Sequence, residues 1–197
     1  MYCLRTPISD FYQLKNKLSN MTKKEFLKEW QEQALINLQF VENELVKLND
    51  AQLNFKPDAD KWSVLQCVEH LNRYSEYYLK TIENKLSKAK EKGAEEVKYS
   101  WFGRMSIKSI HPDNRKKSKT LARLNPAASE VNRGILQDFI THQKTLLTLM
   151  DKAEKHSLNS IKIPADVFKL LKLRLGECFE FLIVHQQRHI LQMKELL

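Results

Sequence analysis

The sequence predicts an all-α fold, a four-helix bundle with one long basic crossover between its second and third helices. Three observations carry that expectation. Glycine and proline are scarce, at 4 and 5 in 197 residues, while apolar residues recur at helical spacing through four long stretches. Two of these stretches open on reciprocal capping patterns, Thr22-Lys-Lys-Glu25 and Ser63-Val-Leu-Gln66. Regularly spaced strand patterns with turn pairs are absent.

Residues 1–21 read as an N-terminal extension, with a turn of helix around Phe11–Leu18, and 22–197 as the bundle domain. Helix one starts at Thr22, where Met21 can pack on Phe26. It carries Phe26, Trp30, Leu35, Leu38, Val41, Leu45 and Leu48 to an end near Asn49-Asp50. A loop through Pro57 follows. Helix two starts at Ser63, with Trp62 and Cys67 as the flanking apolar pair, and runs to about Lys90. His70 lies on the flank of its apolar face, in line with Cys67, Tyr74 and Tyr77. In a bundle that flank points at a neighbouring helix. Asn125-Pro126 marks the start of helix three, whose apolar face includes Val131, Ile135, Phe139, His142, Leu146, Leu149 and Ala153. A loop with Pro164 and a short helical turn at Asp166–Leu171 lead to the last helix, which starts near Leu175-Gly176 and continues to Leu197.

The composition is ordinary for a soluble globular protein, with 42% hydrophobic and 29% charged residues. The N-terminus has no apolar signal region, and no stretch approaches membrane-spanning length. Cys3, Cys67 and Cys178 are scattered and odd in number, which argues against a disulfide framework and suits the cytoplasm. Eleven Lys/Arg against four Asp/Glu between Ser87 and Asn125 carry +7 of the net +9 charge. Such a run in a connection is usually solvated, although it can steer an anionic substrate. No nucleic-acid motif accompanies it, so nucleic acid is not an expected partner.

The last helix holds the most pointed chemistry. His185 and His189 are one turn apart, on a stripe with Cys178, Leu182, Met193 and Leu196. Side chains four apart on a helix are neighbours, so both imidazoles can turn towards one point. Neutral imidazole is the commonest protein metal ligand. Two core histidines satisfied by hydrogen bonds explain the pair equally well until a third ligand is found. His142 is a rival ligand on an apolar stripe, but it has no paired histidine and reads as a core or boundary residue.

Three features then coincide: Trp62-Ser63 with Glu69-His70-Leu71, the patch Trp101-Phe102-Gly103-Arg104, and His185-Gln-Gln-Arg188-His189-Ile-Leu-Gln192. In this order they resemble the DinB-like superfamily over about Thr22 to Leu197. The resemblance implies a four-helix bundle with a divalent metal, zinc or nickel, held by His70, His185 and His189. It also implies homodimers, and relatives that transfer low-molecular-weight thiols such as bacillithiol or mycothiol. Three neutral histidines leave a coordination position open, as in a catalytic site, where water or a thiol can be activated. The function expected is a metal-dependent hydrolase or thiol transferase acting on a small-molecule substrate. The alternative is a non-enzymatic bundle that binds a metal or a small ligand. Tyr74 and Tyr77 are placed near the metal, to orient its water. Arg188 is expected to pair with Glu44 or Glu69, or else to bind an anionic substrate group. Cys67 and Cys178 either line the cavity or are small buried apolar residues.

Overall fold

A computed structural model of the chain describes residues 21–197, apart from 115, 117–119, 128, 130 and 167. The expected turn at Phe11–Leu18 and Cys3 lie outside the described residues. The chain is mostly helical, as expected. Its elements are α1 (Lys23–Phe40), α2 (Asp50–Asn54), α3 (Val64–Leu86), α4 (Trp101–Ile110), α5 (Ile135–Ala153), strands β1 (Lys162–Pro164) and β2 (Lys172–Arg174), and α6 (Leu175–Lys194). The four long helices pack so that α1 and α3 each touch both α5 and α6.

Both predicted capping boxes form. Thr22 accepts from the Glu25 amide, Glu25 accepts from the Thr22 amide, and Ser63 and Gln66 are paired in the same way. A π-helical turn, Val41–Leu45, ends the first helix. The loop expected after it contains α2, with Asn49 and Gln52 as a third reciprocal cap.

Each long helix contributes to two apolar clusters. One gathers Phe26, Trp30, Tyr78, Leu146, Phe179 and Ile183. The other gathers Val41, Leu65, Val68, Phe139, Ile190 and Met193. In all four helices the change from one cluster to the other falls on polar residues: Asn37, His70 with Asn72, His142 with Gln143, and His185 with Gln186 and His189. Part of this layer is a closed amide network. Gln186 Oε1 accepts from Asn37 Nδ2 and from Gln143 Nε2, both at 3.0 Å, and Gln186 Nε2 donates to Gln143 Oε1 at 2.8 Å. Fully satisfied buried amides fix one register between helices.

The crossover, read from the sequence as a solvated basic run, contains a helix, α4. Ser100 caps α4, its hydroxyl accepting from the Gly103 amide at 3.0 Å. Gly103 rests on the buried Glu177 carboxylate at the start of α6. That carboxylate accepts from the Ser100 amide, from the Ser100 hydroxyl at 3.1 Å and from the Arg174 amide at 2.7 Å. One turn on, Glu180 accepts from the Tyr99 hydroxyl. Burial raises the Glu180 carboxyl to about 7, against the opposing pull of the Tyr99 bond, and the Glu177 charge adds to the rise.

A carboxyl raised on folding contributes stability that is complete below its ordinary value of 4.5 and is lost as pH rises through about 7. Glu180→Gln keeps a neutral acceptor for Tyr99. The variant is therefore expected to gain roughly 2 kcal/mol on the parent between pH 5 and pH 8, measured by urea unfolding at both values. A difference that is the same at both pH values would contradict a buried, titrating Glu180.

Two further boundaries move. Helix three starts at Ile135, not at Asn125-Pro126, because side chains capture the backbone in between. Asn125 Oδ1 accepts from the Ala127 amide at 3.0 Å. Gln66 Nε2 donates to the Pro126 and Ala127 carbonyls, each at 3.3 Å, and Arg73 holds the Asn125 carbonyl at 3.1 Å. The Pro126 carbonyl also accepts from the Ser129 amide at 2.9 Å, so a single turn closes there, tied to α3 by these side chains. The helical turn expected at Asp166–Leu171 is instead the connection of an antiparallel hairpin that pairs Ile163 with Leu173. Helix two ends at Leu86 rather than Lys90, and the last helix ends at Lys194. Among the described residues no helix is long and apolar enough to cross a membrane.

Candidate metal centre

The histidines of α3 and α6 meet in the polar layer. His70, His185 and His189 are 3%, 5% and 8% exposed. His70 Nε2 is 3.3 Å from His185 Nε2, and His189 Nε2 is 3.1 Å from it. Zinc–nitrogen bonds of about 2.0–2.1 Å on a tetrahedron set ligand separations of about 3.3–3.4 Å. Both observed separations are close to those of ligands around one divalent ion, and the ligand nitrogens of all three histidines lie within 4.8 Å of one another.

The outer nitrogens settle the tautomers. His70 Nδ1 is 2.7 Å from the Leu124 carbonyl, and His189 Nδ1 is 3.0 Å from Gln192 Oε1. Both oxygens are acceptors, so both Nδ1 atoms carry the proton and both Nε2 atoms present a lone pair inward. His185 Nε2–H can answer only one of these lone pairs at a time. Its own Nδ1 is buried without a hydrogen-bond partner among the described residues. Protonation at that Nδ1 leaves three lone pairs converging, an arrangement that a cation satisfies and a fourth neutral side chain does not.

Electrostatics favours the neutral imidazoles this requires. Burial lowers His70 to about 4, partly opposed by the Leu124 carbonyl, while Arg73 adds to the lowering. Burial, then His70, lowers His189 to about 3, against the pull of Gln192. His185 lies well below its ordinary value through burial and then through His189 and His70.

The surrounding residues were only partly expected. Trp62, predicted as an apolar staple, lies over two ligands, with centroids 4.8 Å from His70 and 5.9 Å from His189. Tyr74 meets the rings of His70 and His185 at 5.0 and 4.5 Å. Burial, then the Asp166 charge, raises its hydroxyl to about 12, so near neutral pH Tyr74 is a donor and not a base. Tyr77 is set apart: it packs edge-on against Tyr78 and donates to the Pro164 carbonyl at 3.3 Å. His142 Nδ1 faces Asn72 Oδ1 at 3.2 Å, which makes it a satisfied boundary residue.

Arg188 pairs with neither Glu44 nor Glu69. Its guanidinium donates to the carbonyls of His111, Asn114 and Lys116, at 3.1, 2.6 and 3.1 Å. The folded crossover brings those carbonyls to α6, and Glu69 is occupied by Arg73 at 2.8 Å. Cys67 and Cys178 sit in the two apolar clusters, and burial raises both thiols, Cys67 to about 12. Neither is a nucleophile in this setting. Asp166 and Leu124 were missed. Their nearness to the centre depends on contacts far along the chain, which no local pattern signals.

Fold and site together define a mostly helical protein built around a buried set of three imidazoles able to hold one metal ion. A model of the DinB superfamily matches residues 38–193, and the chain belongs to that family. An uncharacterized protein of Bacillus subtilis (strain 168), YuaE, is 27% identical over 154 residues, covering 78% of this chain and 88% of that protein. No solved structure matches the chain.

Proposed function

We propose that the protein is a metal-dependent enzyme acting on a small molecule, with one divalent cation held by His70, His185 and His189. The observation that carries this reading is the convergence of three Nε2 atoms, two of them fixed as lone-pair donors by their outer hydrogen bonds. The bound cation supplies Lewis acidity at positions the protein leaves open, towards water in hydrolysis or a thiol in transfer. Zinc and nickel both suit an all-imidazole set. Around them Tyr74 offers a hydroxyl that stays protonated, Trp62 shields two imidazoles from water, and Leu124 and Gln192 hold the ligand tautomers.

Elemental analysis of the untagged protein tests this reading. Near one equivalent of divalent metal per chain is expected in the parent, and less than about a tenth of that in His185→Ala/His189→Ala, since two of three ligands are gone. Metal-free samples of both, each folded by circular dichroism, would return these histidines to the core.

The burial of all three imidazoles, two of them against Trp62, supports a second reading, a metal that stabilises the bundle without catalysis. Chelation then lowers the melting temperature steeply, whereas an open catalytic site loses its metal at smaller cost.

A further inference from the structure

Arg73 lies one helical turn beyond His70 on α3, and its guanidinium reaches across to the crossover. Nη1 donates to the Arg123 carbonyl at 3.2 Å and to the Asn125 carbonyl at 3.1 Å. Nη2 donates to Ser129 Oγ at 2.7 Å, and Nε donates to Glu69 Oε1 at 2.8 Å. The residue between the two captured carbonyls is Leu124. Its side chain is buried, its amide closes a short 3-10 turn onto Leu121, and its own carbonyl turns the other way to accept from His70 Nδ1 at 2.7 Å. One side chain thus grips the backbone on both sides of the peptide that sets a ligand's tautomer.

We propose that Arg73 is a positioning residue for the metal centre: by fixing the backbone of residues 123–125, it holds the Leu124 carbonyl on His70 Nδ1 and so presents His70 Nε2 to the ion. This inference rests on the proposed function for the identity of what is bound. The residue type fits the task. A guanidinium is a rigid planar fork with five donors, able to take two carbonyls, a hydroxyl and a carboxylate at once, whereas an ammonium on a flexible stem is not. The Arg73 guanidinium faces the Arg123 and Asn125 carbonyls and Glu69, and what reaches the site is the Leu124 carbonyl held between them.

The partner that orients a ligand imidazole typically changes metal affinity by 10–100-fold, which sets the expected size of the effect. Arg73→Met, Arg73→Lys and Ser129→Ala are compared with the parent, all without a histidine tag. Zinc affinity is measured by competition with a chromophoric chelator. Long-range proton–nitrogen spectra of the chelator-stripped proteins report the His70 tautomer, and thermal melting reports stability.

The parent and Ser129→Ala are expected to show the Nδ1–H form of His70 and the same zinc affinity. Arg73→Met is expected to show mixed tautomers and an affinity lower by 10–100-fold, with Arg73→Lys between the two. A melting temperature that falls while tautomer and affinity stay parental would overturn the proposal, leaving Arg73 as a staple for the crossover. Mixed tautomers with unchanged affinity would equally remove its role towards the ligand. Arg73→Lys keeps the charge and the stem and carries the same readouts should Arg73→Met not fold. Failure of the parent to bind zinc would count against the metal reading. The tautomer spectra, taken without metal, would still decide whether Arg73 holds His70.

Discussion

Arg123→Met is expected to cost about 3 kcal/mol or more of stability, because it strips a buried carboxylate of its partner. The Asp166 side chain is 2% exposed while that of Arg123 is 51% exposed. Arg123 Nη1 donates to Asp166 Oδ1 at 2.9 Å and Nη2 donates to the Asp166 carbonyl at 2.7 Å. Asp166 Oδ2 has no hydrogen-bond partner among the described residues, so the carboxylate has little support left once the guanidinium goes. An exposed pair contributes little. Here the cost arises on one side only, from the acid that cannot reach water. The Asp166 amide donates to Tyr78 Oη at 3.1 Å, so the loss also loosens the loop that lies over Tyr78.

Urea unfolding of Arg123→Met, Asp166→Asn and the double variant separates these contributions. Most of the Arg123→Met deficit should vanish in the double variant, where no charge is left buried. Additive losses would mean that Arg123 acts through the Asp166 backbone carbonyl and not through the carboxylate.

Gly103→Ala is expected to destabilise by about 2–4 kcal/mol, although alanine favours a helix over glycine by about 1 kcal/mol. A Cβ at Gly103 would stand 2.2, 2.4 and 2.5 Å from Cδ, Oε1 and Oε2 of Glu177. A carboxylate at the end of a flexible side chain can often move. This one is fully buried and accepts from the Ser100 amide and hydroxyl and from the Arg174 amide, so displacement leaves buried donors unpaired.

Two controls sharpen the test. Gly93→Ala, where nothing lies within 4 Å of the added Cβ, should change stability little. Gly103→Ala/Glu177→Ala should be no less stable than Glu177→Ala, since the clash is gone. A Gly103→Ala protein as stable as the parent by thermal and urea unfolding would show that α4 is not seated on Glu177.

Much of the helical frame was legible because its signals are local. A capping box needs four consecutive residues, and the stripes of α1, α3, α5 and α6 repeat within each helix. The boundaries that moved were decided by distant groups. Asn125-Pro126 reads as a good helix start until Gln66 and Arg73, some 50–60 residues earlier, take its carbonyls. The hairpin went unseen because strands of three residues give too few alternations to distinguish from a turn. α4 carries its cap at Ser100, but a glycine in its first turn and a basic setting masked it.

The same division runs through the site. His185 and His189 could be paired from sequence because a helix sets their spacing whatever surrounds it. The sequence by itself determined a largely helical chain of the DinB family, with histidines set on or beside its apolar stripes. The family resemblance already chose His70 over His142; only the tertiary structure decided that Trp62 lies over two of the imidazoles, that Arg188 holds backbone carbonyls instead of Glu44 or Glu69, and that Arg73 grips carbonyls of the crossover as well as Glu69. Those outcomes depend on how helices rotate against one another and where a long crossover runs, and burial and hydrogen-bond satisfaction across the whole molecule settle both.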